Sequence, residues 1–201
     1  MMNNLIGISG FARAGKDTFC ERCSDILLKY GLKSRQFSFA NALKNELNDL
    51  LLDNIGISAF TEDNEEKQII RPLLVTYGTE VRRKLNPECW IQSINSKVEE
   101  SLKEGYYVFI SDVRFLNEAS WIQDTGGLLF NIQRDDIGPA NKDEQEQYNL
   151  FRSMVDYTIS WPSFGHNHIE ECDAYIYRLL DSQNSSKITF PKQFLEIFAN
   201  S

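Results

Sequence analysis

The chain has 201 residues, 42% hydrophobic and 25% charged, the composition of a globular protein with a sizeable core, and a single domain is expected. Its net charge of −8 argues against a duplex DNA or RNA binder, which would carry a basic face, and leaves room for a mononucleotide, whose phosphates need only local positive charge. No apolar stretch approaches the roughly 20 residues of a membrane span, and the N-terminal residues lack the pattern of a signal peptide, so a cytoplasmic protein is expected.

The first predicted strand, residues 5–9, is the apolar run Leu5-Ile6-Gly7-Ile8-Ser9. It leads into Gly10-Phe11-Ala12-Arg13-Ala14-Gly15-Lys16-Asp17-Thr18, a Gly-x-x-x-x-Gly-Lys pattern. A helix is predicted over 17–30, because Phe19, Cys23, Ile26, Leu27 and Tyr30 recur at helical spacing, and Gly31 stops it. Strand, glycine-rich turn and helix in that order predict a phosphate-binding P-loop. Glycines let the backbone wrap a phosphate chain, and N–H groups of the loop and first helical turn point at it. The predicted nucleotide contacts are Gly10, Ala14, Gly15, Lys16, Asp17 and Thr18. Lys16 is placed to reach the β- and γ-phosphates as a point charge.

Two residues of the loop are unusual. Asp17 stands where such loops carry Ser or Thr, whose hydroxyl binds Mg²⁺. Asp17 acts either on the metal through water or as an anion favouring the helix N-terminus, and Thr18 follows as a hydroxyl donor. Arg13 either lies over the phosphates or faces solvent; the planar, bidentate match of guanidinium to phosphate favours the former. Cys20 and Cys23 form a Cys-x-x-Cys pair, but no second pair exists to complete a zinc site. Reduced cysteines packed behind the P-loop helix are expected.

Further along, a strand over 35–39 precedes a helix over 40–52, with Lys44 placed to meet the phosphate of an acceptor. Residues 54–68 are polar and acidic and are predicted as a loop entering a helix over 63–85. That helix carries Arg71, Thr79, Arg82 and Arg83, and the next, predicted over 89–104, carries Trp90. The arginines share one helical face at best and are either a phosphate site or a solvated basic face. Gly78 inside a helical pattern costs about 1 kcal/mol relative to Ala, which points to close approach of another group.

The run Tyr106-Tyr107-Val108-Phe109-Ile110, within a predicted strand over 106–111, has the continuous apolar character of a central parallel strand. At its end lies Ser111-Asp112-Val113-Arg114: Asp112 to hold metal-bound water or orient a substrate, Arg114 to take a phosphate. A capping aspartate with an exposed arginine is the plainer alternative. A helix over 117–125 and strands over 127–133 and 156–160 follow.

Residues 135–148, with Gly138-Pro139 as hinge and Arg134 and Arg152 at the edges, are long enough for a mobile lid. Its acidic run Asp143-Glu144-Gln145-Glu146 is expected to stay outside, since carboxylates repel phosphates. His166 and His168, two apart, are assigned capping and packing roles. The stretch 188–198 is expected as a helix on the outside of the domain or in a homodimer contact. Alternating strands and helices predict an α/β, three-layer P-loop NTPase fold: a five-stranded parallel sheet with helices on both faces.

In order along residues 5–160, the loop Gly10 to Thr18, Phe39-Ala40 with Leu43-Lys44, Arg71 with Leu74, Gly78-Thr79-Glu80 and Trp90, and Asp112-Val113-Arg114 with Asn117-Glu118 resemble the bacteriophage deoxynucleoside monophosphate kinases. Thr76-Tyr77 before Gly78 departs from the family's usual Gln and apolar residue, and the lid is acidic. The resemblance implies an adenylate-kinase-like fold, ATP with Mg²⁺ as donor and a deoxynucleoside monophosphate as acceptor. It implies an acceptor-binding helical region at about 40–90 and a lid at about 134–152.

Under this resemblance Lys16, Arg13, Asp112 and Arg114 are catalytic. Arg134 joins the loop in binding ATP. Lys44, Arg71, Thr79, Arg82, Trp90, Arg114 and Arg152 bind the acceptor, and Asp17, Thr18 and Asp112 attend the metal. Adenylate kinases likewise place a Thr one position late. Animal phosphomevalonate kinases carry a similar Gly-Lys-Asp loop, which keeps a non-nucleotide phosphate open as acceptor. A nucleotide-binding switch without phosphotransfer is the third possibility.

Overall fold

The structure is a computed structural model and describes residues 4–162 and 169–181. His166, His168 and the stretch 188–198 lie outside the described residues. Two compact units are present: the residues up to Gln36 together with those from Ser101 onward, and Phe37–Glu100.

The first unit holds the sheet. Its strands are β1 (Leu5–Ser9), β2 (Ser34–Phe37), β3 (Tyr107–Ile110), β4 (Leu128–Gln133) and β5 (Tyr157–Ser160), in the order β2-β3-β1-β4-β5. β1 pairs in parallel with β3 and β4, and β4 with β5, so β1 is central and all five of its residues are buried.

Side chains alternate across a strand, and the two faces of this sheet bury different partners. Ile6, Ile8, Phe130 and Ile132 pack in one core with Phe19, Cys20, Cys23, Ile26 and Leu27 of α1 (Lys16–Lys29) and with Cys172 and Ile176 of α7 (Ile169–Asp181). On the opposite face, a Cβ at Gly7 would meet Ile122 of α5 (Leu116–Asp124) at 3.0 Å and Leu129 at 3.2 Å. Helices therefore cover both faces of a parallel sheet, the three-layer α/β arrangement expected from alternating strands and helices. The cysteines are free and buried, and burial raises the Cys20 and Cys23 thiols far above their ordinary value, which leaves them packing groups. α7 is tied to α1 by Asp173, which pairs with Lys29 at 2.9 Å and Arg22 at 3.6 Å.

Residues 135–148, for which no helix was expected, are partly helical. A helix, α6 (Lys142–Phe151), forms there, followed by a 3₁₀ turn at Arg152–Met154. Asn141 caps α6 by accepting from the Glu144 amide at 2.8 Å, and Asp143 and Glu144 place negative charge in the first turn. Phe151 is buried and stacks edge-on with Tyr148 at 5.6 Å.

The second unit contains α2 (Phe39–Ile55), α3 (Asn64–Val75) and the beginning of α4 (Cys89–Lys103). Ser38 caps α2 and Asp63 caps α3. Leu47, Leu51, Ala59 and Ile70 form its core. The helix predicted as one piece over 63–85 changes character: α3 passes into a π-helical stretch, Thr76–Arg83. Pro72 inside α3 brings no N–H, so the regular ladder cannot run through unbroken. Gly78 is buried here, and a Cβ on it would come within 2.9 Å of Leu43, the close approach its position implied. Among the described residues, no helix is long and apolar enough to cross a membrane.

Candidate functional site

The loop from β1 to α1 owes its path to three left-handed residues: Gly10 (φ 140°), Arg13 (φ 67°) and Gly15 (φ 93°). At Gly10 a Cβ would lie 2.3 Å from the Ile132 carbonyl oxygen, and at Gly15 it would lie 2.6 Å from the Trp161 indole. Neither place admits a side chain. The Ala14 amide donates to the Phe11 carbonyl at 3.1 Å, closing the turn, and Ala14 itself is buried. Asp17 and Thr18 sit in the first turn of α1, both exposed.

Lys16 is only 8% exposed, and its ammonium donates to the carbonyls of Gly10 at 2.8 Å and Phe11 at 2.9 Å. Burial lowers its pKa, and the positive charge of Arg114 lowers it further; Asp17, Glu144 and Asp112 act the other way. Two cations held near one another beside a curled backbone form an arrangement suited to an anion.

Arg114 and Asp112 are brought to the loop by backbone pairing. The Val113 amide donates to the Ile8 carbonyl at 3.0 Å, fixing the turn after β3 to the end of β1. The buried Glu118 of α5 takes the Arg114 amide at 2.8 Å and the Phe115 amide at 3.0 Å on one carboxylate oxygen. Asp112 is half-buried and the Arg114 side chain exposed.

Arg134 also reaches the loop. It forms a bidentate pair with Asp136, at 3.0 and 2.6 Å, and donates to the Arg13 carbonyl at 3.4 Å. The Arg13 side chain is exposed. Arg152 is exposed at the end of α6, and its charge bears on Tyr148, whose ring meets Phe11 of the loop edge-on at 5.6 Å.

The acidic run of α6 does not all stay outside. Asp143 and Glu146 are exposed, but Glu144 turns inward: Oε1 accepts from the Ala12 amide at 3.1 Å and Oε2 from the Ala140 amide at 2.7 Å. A carboxylate and a phosphate are both anionic acceptors for backbone N–H groups, so Glu144 takes a loop amide that a phosphate could also take.

In the second unit, Arg82 and Trp90 come together. The guanidinium lies 5.6 Å from the centre of the Trp90 ring, and Nε lies 3.1 Å from Oε1 of Glu46, which also accepts from the Tyr77 hydroxyl at 2.8 Å. π-helical winding aligns residues five apart, which brings Tyr77 and Arg82 to the same glutamate. Trp90 is 2% exposed and donates to the Gly78 carbonyl at 3.3 Å. Its position is therefore that of a buried platform under Arg82. Lys44 lies over the Phe60 ring at 5.5 Å, and Arg71 and Thr79 are exposed.

Glu46 was not anticipated from the sequence, Glu144 was expected to stay outside, and Tyr77 and Glu118 were noted only as parts of motifs. The Asn141-x-x-Glu144 spacing was the available signal for α6.

No protein-family model and no curated protein matches the chain. Solved structures do resemble it. Shikimate kinase from Bacteroides thetaiotaomicron is 11% identical, with 88% of this chain and 98% of that one covered and a TM-score of 0.47. TT1252 from Thermus thermophilus is 12% identical over 90% and 98%, with a TM-score of 0.46. Shikimate kinase from Acinetobacter baumannii, in complex with shikimate, is 11% identical over 91% and 95%, with a TM-score of 0.42.

Proposed function

We propose that the chain is a P-loop kinase that transfers the γ-phosphoryl group of ATP to a deoxynucleoside monophosphate. The observation that carries the kinase reading is the convergence of Lys16, Arg114, Asp112 and the curled Gly10–Gly15 backbone at the end of β1. A phosphate chain would be held by loop amides and Lys16, with Arg134 beside Arg13 on the donor. A phosphate oxygen of the acceptor would attack the γ-phosphorus, the bond to the bridging oxygen would break, and ADP would leave. An ionised phosphate is already a nucleophile, so the catalytic groups Lys16, Arg13, Asp112 and Arg114 are asked only to position and to neutralise charge.

Asp17, Thr18 and Asp112 would hold Mg²⁺. Asp17 and Asp112 both act on the Lys16 ammonium, and oxygen donors are what this ion takes. Among the described residues no group of three or more His, Cys, Asp or Glu gathers to hold a metal alone. When bound, Mg²⁺ would neutralise charge on the transferred group.

The acceptor role is assigned to Lys44, Arg71, Thr79, Arg82, Trp90, Arg114 and Arg152. Deoxynucleotide rather than another phosphate is proposed from the ordered motifs from Phe39 to Glu118. The lid role is assigned to 134–152. Incubation with ATP, Mg²⁺, a mixture of deoxynucleoside monophosphates and phosphomevalonate, with mass detection of products, tests the reading. A deoxynucleoside diphosphate is expected; its absence, with phosphomevalonate consumed instead, would move the acceptor to the non-nucleotide class.

A further inference from the structure

α6 reaches the P-loop through the Phe11–Tyr148 ring contact and the Ala12–Glu144 hydrogen bond. The second is chemically unusual. Glu144 stands at the third position of its helix, where a carboxylate often turns back to its own helix start. Here it bridges instead, with one oxygen on Ala140 and the other on a P-loop amide 132 positions earlier in the chain.

The place of that amide matters. Lys16 directs its ammonium at the carbonyls of Gly10 and Phe11, and such a lysine serves the β- and γ-phosphates. Ala12 follows directly, so its amide belongs to the end of the loop that meets the terminal phosphate. The negative charge of Glu144 is also felt by the Lys16 ammonium.

We propose that Glu144 is a resident anion of the P-loop, a carboxylate that the terminal phosphate of a nucleoside triphosphate must displace from the Ala12 amide. This rests on the reading of the loop as a nucleotide phosphate site and goes beyond it by naming a residue that opposes binding. Displacement lets go the Glu144 contact between α6 and the loop, so arrival of the terminal phosphate is linked to movement of that helix. A diphosphate, which lacks the terminal group, leaves Glu144 in place.

The prediction is a gain of affinity on mutation, which a merely structural carboxylate would not give. Glu144→Gln keeps the shape and removes the charge. It should tighten binding of a non-hydrolysable ATP analogue roughly five- to tenfold, and of ADP by less than about twofold, in titration calorimetry. Glu146→Gln removes the same charge from an exposed position of α6 and should change neither. Glu144→Ala serves as a second variant, and thermal unfolding checks that each protein is folded. Wild-type binding with unchanged or weaker analogue affinity in Glu144→Gln, or equal tightening toward ADP, overturns the role of Glu144 alone. Absence of binding in wild type and every variant overturns the nucleotide reading and this proposal with it.

Discussion

Gly15 of the P-loop lies against Trp161: a Cβ at residue 15 would stand 2.6 Å from the indole Cδ1 and Nε1. Trp161 is itself wedged edge-on between Phe19, at 5.5 Å, and Tyr175, at 5.6 Å, so it cannot give way freely. The curl of the Gly10–Gly15 loop is thus backed by aromatic side chains of α1 and α7 packed around Trp161.

Gly15→Ala should therefore destabilise the protein. The positive φ alone costs on the order of 1–3 kcal/mol for a non-glycine residue, and the clash adds to it. Urea unfolding followed by tryptophan fluorescence measures the loss; wild-type stability would show that Trp161 yields.

Arg13→Gly separates backbone from side chain. Arg13 holds φ at 67°, so glycine should relieve strain, with no more than about 1 kcal/mol gained because glycine is also freer when unfolded. Phosphotransfer should nevertheless drop, since the guanidinium is gone. A variant of unchanged activity would make Arg13 a surface residue.

Lys16→Met should abolish phosphotransfer without lowering the Tm. The Lys16 pKa is lowered from 10.5, chiefly by burial, so below that pH the folded protein binds this proton less readily than the unfolded chain. The buried charge costs stability at neutral pH, and its contribution improves as pH rises toward 10.5. By the same sign, nucleotide affinity of the wild type should fall on the alkaline side, ahead of an ordinary lysine. Residual activity close to wild type in Lys16→Met would remove the lysine from the mechanism.

Arg82→Ala and Arg114→Ala should mainly impair use of the acceptor, each by on the order of 1.5–3 kcal/mol in kcat/KM. Glu46→Gln is a companion to the first, because Glu46 flanks the Arg82 Nε and takes the Tyr77 hydroxyl. Acceptor titrations with unchanged KM and kcat in both arginine variants would displace the acceptor site from these residues.

Much of the frame was legible because it is written in local pattern. The span of β1 agrees at both ends, Leu5–Ser9, and β3 lies within its apolar run, because a strand buried on both faces is continuously apolar. α6 was not legible as a helix, since its apolar anchors Tyr148 and Phe151 are outnumbered by acids and amides. The π-helical stretch after Val75 also went unseen: Pro72 warns of a break but not of its form. Candidate P-loop residues could be read from glycine spacing, whereas Glu144 could not. Its bond to Ala12 exists only through packing of α6 on the loop, and charge alone predicted the opposite placement.

Phosphotransfer from ATP to a deoxynucleoside monophosphate can be followed by initial rates of ADP release. Each deoxynucleoside and ribonucleoside monophosphate, phosphomevalonate and buffer alone would serve in turn as acceptor. Release should be stimulated well above the buffer rate by at least one deoxynucleoside monophosphate, and lost in Lys16→Met. Stimulation by phosphomevalonate alone, or a rate no acceptor changes, would contradict phosphotransfer to a deoxynucleoside monophosphate.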